Sequence, residues 1–218
     1  MNDTSKSQAK LPPFRSKVVP VVVISDVAQA VPMAQALLDG GVDVIEVTLR
    51  SDTALAAIEQ ISRRVPDMVV GAGTVTRPSQ VQRVMEAGAR FALSPGFTPA
   101  LLAQVKASGL PFIPGVASPS EAMVARDEGF ELLKCFPVAQ LGGPGVLQAW
   151  AGPLPDLRFC PTGGVTLDKL GHFLQLPNVA MVGGSWLTPN HLVQAANWPA
   201  ITRLARQATT LAEGFLAV

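Results

Sequence analysis

Charge is scarce in this chain. Only 15% of its 218 residues are Asp, Glu, Lys or Arg, and the 17 basic and 16 acidic side chains leave a formal net charge of +1. That near-balance supplies no cationic field for nucleic acid, whose binding rests on neutralising phosphates. With 48% of residues hydrophobic, intrinsic disorder is excluded too, since it needs low hydrophobicity and high net charge. Long apolar runs are also lacking. The longest nearly pure one, VVPVVVI at 18–24, is far shorter than the ~20 residues of a membrane-spanning helix. The opening stretch MNDTSKSQAKLPPFRSK has no apolar segment of a secretory signal. Cys135 and Cys160 are the only cysteines, too few for a disulfide framework, and read as reduced packing residues in a reducing cytosol. His172 and His191 are the only histidines, and neither has a carboxylate or second His at ligand spacing. Divalent-metal aldolase and hydrolase chemistry is therefore disfavoured. No G-x-S-x-G, P-loop or kinase signature occurs.

What the chain has instead is alternation. Residues 1–16 read as a polar tail or short capping helix, and residues 17–218 as one domain. Apolar, often β-branched runs begin near Val18, Val42, Val69, Phe91, Phe112, Leu132, Arg158 and Ala180, 20 to 27 residues apart. Each interval just fits a strand, a helix of two to three turns and two short loops. Amphipathic segments fill the intervals: 26–38, with Pro32 expected to kink it; 52–63, with Asp52 as its expected cap; then 80–87, 99–107 and 119–128. Pro or a small polar residue tends to open them and Gly to close them. Strict strand–helix alternation implies parallel strands joined by right-handed crossovers. Eight units predict an α/β fold of the (β/α)8 TIM-barrel type. A doubly wound dinucleotide-binding sheet fits less well, because Ser25-Asp26 and no G-x-G-x-x-G follow the first strand.

Active sites of such barrels lie at the C-terminal ends of the strands. In the second run, VDVIEVTLR, residues Val44, Glu46, Thr48 and Arg50 share one face and Ile45, Val47 and Leu49 the other. An acid and an arginine directed inward are costly unless paired or functional. A purely structural Glu46–Arg50 ion pair is the alternative reading. Of six lysines, only Lys134 falls inside a strand-like run, between Leu132-Leu133 and Cys135-Phe136. Burial there favours a neutral amine able to attack a carbonyl; reaching solvent or pairing with Glu131 is the structural alternative. The seventh run leads into Pro161-Thr162-Gly163-Gly164-Val165 and the eighth into Gly183-Gly184-Ser185. Glycines at those two loops suit a phosphate cradle of backbone N–H groups.

In this order VVPVVVI, GGVDVIEVTLR, VGAGTV, FALSPGFT, IPGV, LLKCFPV, RFCPTGGV and VGGSWL resemble the KDPG/KHG aldolase family, over residues 18–208. The resemblance implies a metal-free, cofactor-free class I aldolase, cytoplasmic and homotrimeric. It would cleave 2-dehydro-3-deoxy-6-phospho-D-gluconate to pyruvate and D-glyceraldehyde 3-phosphate, the Entner–Doudoroff cleavage. Position by position it implies Lys134 as Schiff-base lysine and Glu46 as general acid/base. Arg50 and Thr74 would hold the pyruvate carboxylate, Pro95, Phe136 and Thr162 would line the pocket, and Gly163, Gly164, Gly184 and Ser185 would receive phosphate. In the empty site, Arg50 is expected to keep Glu46 ionised. Many relatives continue from the lysine with F-F-P-A-E, whereas here Ala139 stands at the acidic position. Dominant activity on 4-hydroxy-2-oxoglutarate or the 6-phosphogalactonate epimer is an alternative. A non-catalytic phosphometabolite-binding barrel or an isomerase or epimerase barrel are readings of a different class.

Overall fold

The computed structural model describes residues 9–215, and no helix among them is long and apolar enough to cross a membrane. The strands are β1 (Val18–Val22), β2 (Val44–Thr48), β3 (Val69–Gly73), β4 (Phe91–Leu93), β5 (Phe112–Ile113), β6 (Gly115–Val116), β7 (Leu132–Cys135), β8 (Arg158–Pro161) and β9 (Val182–Gly184). Every strand pairing is parallel, as the alternation predicts. The order β5-β4-β3-β2-β1-β9 forms one sheet and β6-β7-β8 another. The fifth apolar run, expected as one strand, is divided at Pro114, which has no N–H to give a ladder. Isolated bridges Phe159↔Val179 and Thr162↔Gly183 link β8 to the chain around β9.

The helices are α1 (Ala30–Asp39), α2 (Ala54–Arg64), α3 (Pro78–Glu86), α4 (Pro99–Ser108), α5 (Pro119–Asp127), α6 (Pro144–Ala151), α7 (Leu167–Leu174), α8 (Asn190–Gln194) and α9 (Trp198–Glu213). The kink expected at Pro32 does not form. The break falls earlier, as a 3-10 turn over Val27–Gln29 capped by Asp26, and Pro32 then occupies the first turn of α1, where no helical partner for its N–H is needed. Asp52 does not cap the second helix either. Its N-cap is Thr53, whose hydroxyl instead donates to the Ile24 carbonyl, as does that of Ser51 at 2.6 Å. The opening of α5 follows the expected rule, with Ser118 and Glu121 forming a reciprocal capping box.

Period-two alternation sorts the strand residues into two apolar layers. Ile45, Val47, Val70, Ala72, Leu133, Cys135 and Phe159 belong to the layer packed with the helices. Val19, Val44, Val69, Phe91, Leu93, Ile113, Cys160 and Met181 form a second, inner cluster. Each fully buried large side chain contributes roughly 1.5–3 kcal/mol. Residues 9–16 have no helix or strand, but Leu11 and Phe14 pack on the inner cluster, with the Phe14 and Phe91 ring centroids 6.2 Å apart. The remainder of the expected tail lies outside the described residues.

Asp43 anchors this segment just before β2. Its carboxylate accepts from the Arg15 N–H at 2.9 Å and the Ser16 N–H at 2.9 Å. Burial opposes ionisation of Asp43, but these N–H groups and the Arg15 side chain outweigh it and hold the carboxyl below its usual range. A depressed folded value means stabilisation that is complete above the unfolded value of 3.8 and is lost as pH falls through the lower, folded value. Asp43→Asn is therefore expected to cost roughly 1–3 kcal/mol at neutral pH. The gap from wild type should narrow on acidification, as urea unfolding at neutral pH and at about pH 3 will show.

Candidate active site

Glu46 sits in the middle of β2 and Lys134 in β7, each on the inward parity of its strand and two residues beyond the apolar Val44 and Leu132. They are 88 residues apart in sequence, yet Lys134 Nζ donates to Glu46 Oε1 at 2.9 Å and lies 3.3 Å from Oε2. Both are almost completely removed from solvent, Glu46 at 1% and Lys134 at 4% exposure. The ammonium also faces the ring of Phe136, 5.7 Å from its centroid. Neither solvent nor Glu131 takes the lysine, so both structural alternatives for Lys134 are set aside. Lys134 therefore meets a carboxylate as well as the apolar neighbours expected from its strand.

Arg50 departs from expectation. β2 ends at Thr48, so Arg50 stands in the turn beyond it, exposed, and does not pair with Glu46. The interior lysine is the partner of Glu46 instead. The guanidinium is tied by one bond, Nε donating to Thr48 Oγ1 at 3.2 Å, while the Thr48 hydroxyl donates to the Val22 carbonyl at 2.8 Å. Buried Thr48 thus fixes the root of an otherwise solvent-facing cation.

The other expected residues end neighbouring strands. Thr74 follows β3 with φ 60, a left-handed conformation that strains a β-branched residue by ~1–3 kcal/mol. Pro95 follows β4, and Gly115 packs so closely on this loop that a Cβ there would meet the Gly96 nitrogen at 2.6 Å. Buried Thr162 follows β8, with its hydroxyl donating to the Cys160 carbonyl at 3.3 Å. Gly163 and Gly164 have φ 95 and 77, so the turn before α7 needs glycine. Phe136 borders this turn, since a Cβ on Gly163 would lie 3.1 Å from its ring. Ala139 donates its N–H to the Gly163 carbonyl at 3.0 Å. Gly184 closes β9 against the Trp186 ring, and Ser185 beyond it is exposed.

Three contributors escaped the sequence reading: Thr48 as the anchor of Arg50, Gly73 against Glu46, and Cys160 opposite Lys134 in the β7–β8 register. Inward parity along β3 and β8 is the signal that could have found the last two. Both cysteines are free and buried. Burial pushes the Cys135 thiol up to about 12, with Cys160 adding to it, and the Cys160 thiol up to about 11 by burial against the opposing pull of Lys134. Neither thiol is expected to react with iodoacetamide at neutral pH while the chain is folded, and both should react in urea; peptide mass spectrometry reads the difference.

A desolvated amine against a carboxylate, inside two parallel strands and with glycine turns beyond neighbouring strands, contains the parts required by a lyase that works through an imine. Comparison with known proteins agrees. The family model described as KDPG and KHG aldolase matches residues 13–204. The 2-dehydro-3-deoxy-phosphogluconate aldolase of Pseudoalteromonas atlantica is 49% identical over 90% of this chain and 92% of its own. The KHG/KDPG aldolase of Escherichia coli K12 is 48% identical over 88% and 90%. Among solved structures, the KDPG aldolase of Legionella pneumophila, with pyruvate captured as a covalent carbinolamine, superposes with a TM-score of 0.87 at 46% identity, covering 89% of this chain and 94% of that one. The chain belongs to the KDPG/KHG aldolase family.

Proposed function

We propose that this chain is a class I aldolase that cleaves 2-dehydro-3-deoxy-6-phospho-D-gluconate to pyruvate and D-glyceraldehyde 3-phosphate, with Lys134 and Glu46 performing the chemistry. The observation that carries the reading is the buried 2.9 Å contact between Lys134 Nζ and Glu46 Oε1. As the ketone arrives, Glu46 takes a proton from the ammonium and frees the amine to attack C2. The carbinolamine loses water, with Glu46 supplying the proton, and the resulting iminium is an electron sink. Glu46 then removes the C4 hydroxyl proton, the C3–C4 bond breaks, and the aldehyde leaves an enamine on Lys134. Protonation at C3 and hydrolysis release pyruvate and restore the amine. Proton transfer by a positioned carboxyl group is worth typically 10²–10⁴-fold.

Arg50 and Thr74 hold the pyruvate carboxylate in this reading, with a planar guanidinium suited to bidentate contact. Pro95, Phe136 and Thr162 line the pocket. The phosphate is received by Gly163, Gly164, Gly184 and Ser185, a role supported by the left-handed glycine turn directly before α7. The eight strand–helix units form one (β/α)8 barrel over residues 17–215, the described part of the expected domain. Supporting closure, the chain runs through Pro114 from β5 to β6, and bridges join β8 to the region of β9. A cytoplasmic homotrimer is carried over from the family resemblance. Likeness to the KHG/KDPG aldolase of Escherichia coli supports 4-hydroxy-2-oxoglutarate as a second substrate.

Borohydride reduction in the presence of pyruvate is expected to leave a covalent three-carbon adduct on the peptide holding Lys134. Lys134→Met should give neither adduct nor turnover. An intact activity without an adduct on Lys134 would remove the proposed mechanism. Wild type should also cleave the 6-phosphorylated substrate with a higher kcat/KM than its unphosphorylated counterpart. Gly164→Ala, which puts a side chain at φ 77 and against Ala139, should raise KM for the phosphorylated substrate more than for the other.

A further inference from the structure

β3 presents two inward glycines, Gly71 and Gly73, and neither has a left-handed backbone. Their φ angles therefore do not demand glycine, and on backbone grounds alone alanine would be favoured in a strand. Space is what they provide. At Gly71 the room is filled by the ring of Phe91, since a Cβ there would lie 2.6 Å from both Cε atoms. At Gly73 the room is filled by Glu46: a Cβ would stand 2.6 Å from its Cγ and 2.7 Å from its Cδ, and closer still to Oε1. Real Cβ atoms essentially never approach a neighbour so closely. The parallel register pairs Gly73 with Thr48, so it lies on the adjacent strand, two residues along from the acid. Glu46 is 1% exposed and already committed to Lys134, so it can yield to a new methyl group only by moving its carboxylate off the amine.

We infer that Gly73 is a positioning residue, whose missing side chain seats the Glu46 carboxylate within reach of the Lys134 amine. The first inward glycine of β3 serves packing and the second serves proton transfer. This inference rests on the reading of Glu46 as the proton-transfer group.

A double-mutant cycle tests it, with steady-state cleavage kinetics and thermal unfolding for wild type, Gly73→Ala, Glu46→Ala and the double variant. Gly73→Ala is expected to lower kcat by about 10²-fold, within the range of a misplaced acid–base group, with KM changed by less than about threefold. In the Glu46→Ala background the same substitution should cost nothing further, because the side chain it displaces is gone. Gly152→Ala, at an exposed glycine with nothing within 4 Å, is the control and should leave kcat unchanged. An unaltered kcat in Gly73→Ala, or equal losses in both backgrounds, overturns the inference. If Gly73→Ala does not fold, the double variant decides: a folded one supports the role of Glu46 in the clash, and an unfolded one overturns it. Full turnover in Glu46→Ala would overturn the assignment of the acid and this inference together. A neutral Gly73→Ala beside an inactive Glu46→Ala overturns the role of Gly73 alone.

Discussion

A single charge pair set beside the apolar inner cluster, Lys134 against Glu46, governs the arrangement of the rest. Either ion alone at that depth would carry a desolvation cost of several kcal/mol, so each requires the other. The surrounding inner cluster supplies none of the remaining hydrogen bonds, which leaves the amine and carboxylate dependent on a contact that can pass a proton. In the proposed mechanism, structural need and chemical use coincide in one contact. Once the amine is bonded to carbon in the proposed cycle, the carboxylate either faces a positive iminium or holds a proton of its own. Both conditions suit the steps that follow.

Around the pair, the walls are made by what is absent as much as by what is present. Glycines 71 and 73 on β3, 115 on β6 and 183 on β9 each leave room that a neighbouring ring, carboxylate, backbone or hydroxyl occupies. On β2 Ile45 and Val47 turn to the helices, while Glu46 and Thr48 share the inward face with the apolar Val44. A strand that reads as mixed in sequence is therefore divided by parity in space.

Much of this was legible from the chain alone. The regular recurrence of apolar runs points to the parallel α/β order, and parity on β2 and the lone strand lysine point to both members of the buried ion pair. Burial follows strand parity, which is a local property, so such residues can be found without a partner. What could not be read was partnership. Local spacing offers Arg50, four residues away, as a partner for Glu46, because spacing is visible in sequence and the curvature that brings β7 opposite β2 is not. Helix starts failed for a related reason. Asp52 has the chemistry of a cap, but the hydroxyls of Ser51 and Thr53 are held by the Ile24 carbonyl on the preceding strand, and that tertiary bond decides where the helix begins. In sequence Pro32 reads as a kink within a helix, whereas the preceding 3-10 turn makes it a first-turn residue of α1.

The division of the strands at Pro114 has a mechanical corollary. Glu46 belongs to the six-stranded sheet and Lys134 to the three-stranded one, and on one side the two sheets join through Pro114, whose carbonyl accepts the Lys134 N–H at 2.9 Å. Their spacing is set where the sheets meet, at a proline on one side and at isolated bridges on the other. Heat that loosens these seams would part Lys134 from Glu46 while each ladder stays intact, and under the proposed mechanism turnover would fade before the helical and strand content does.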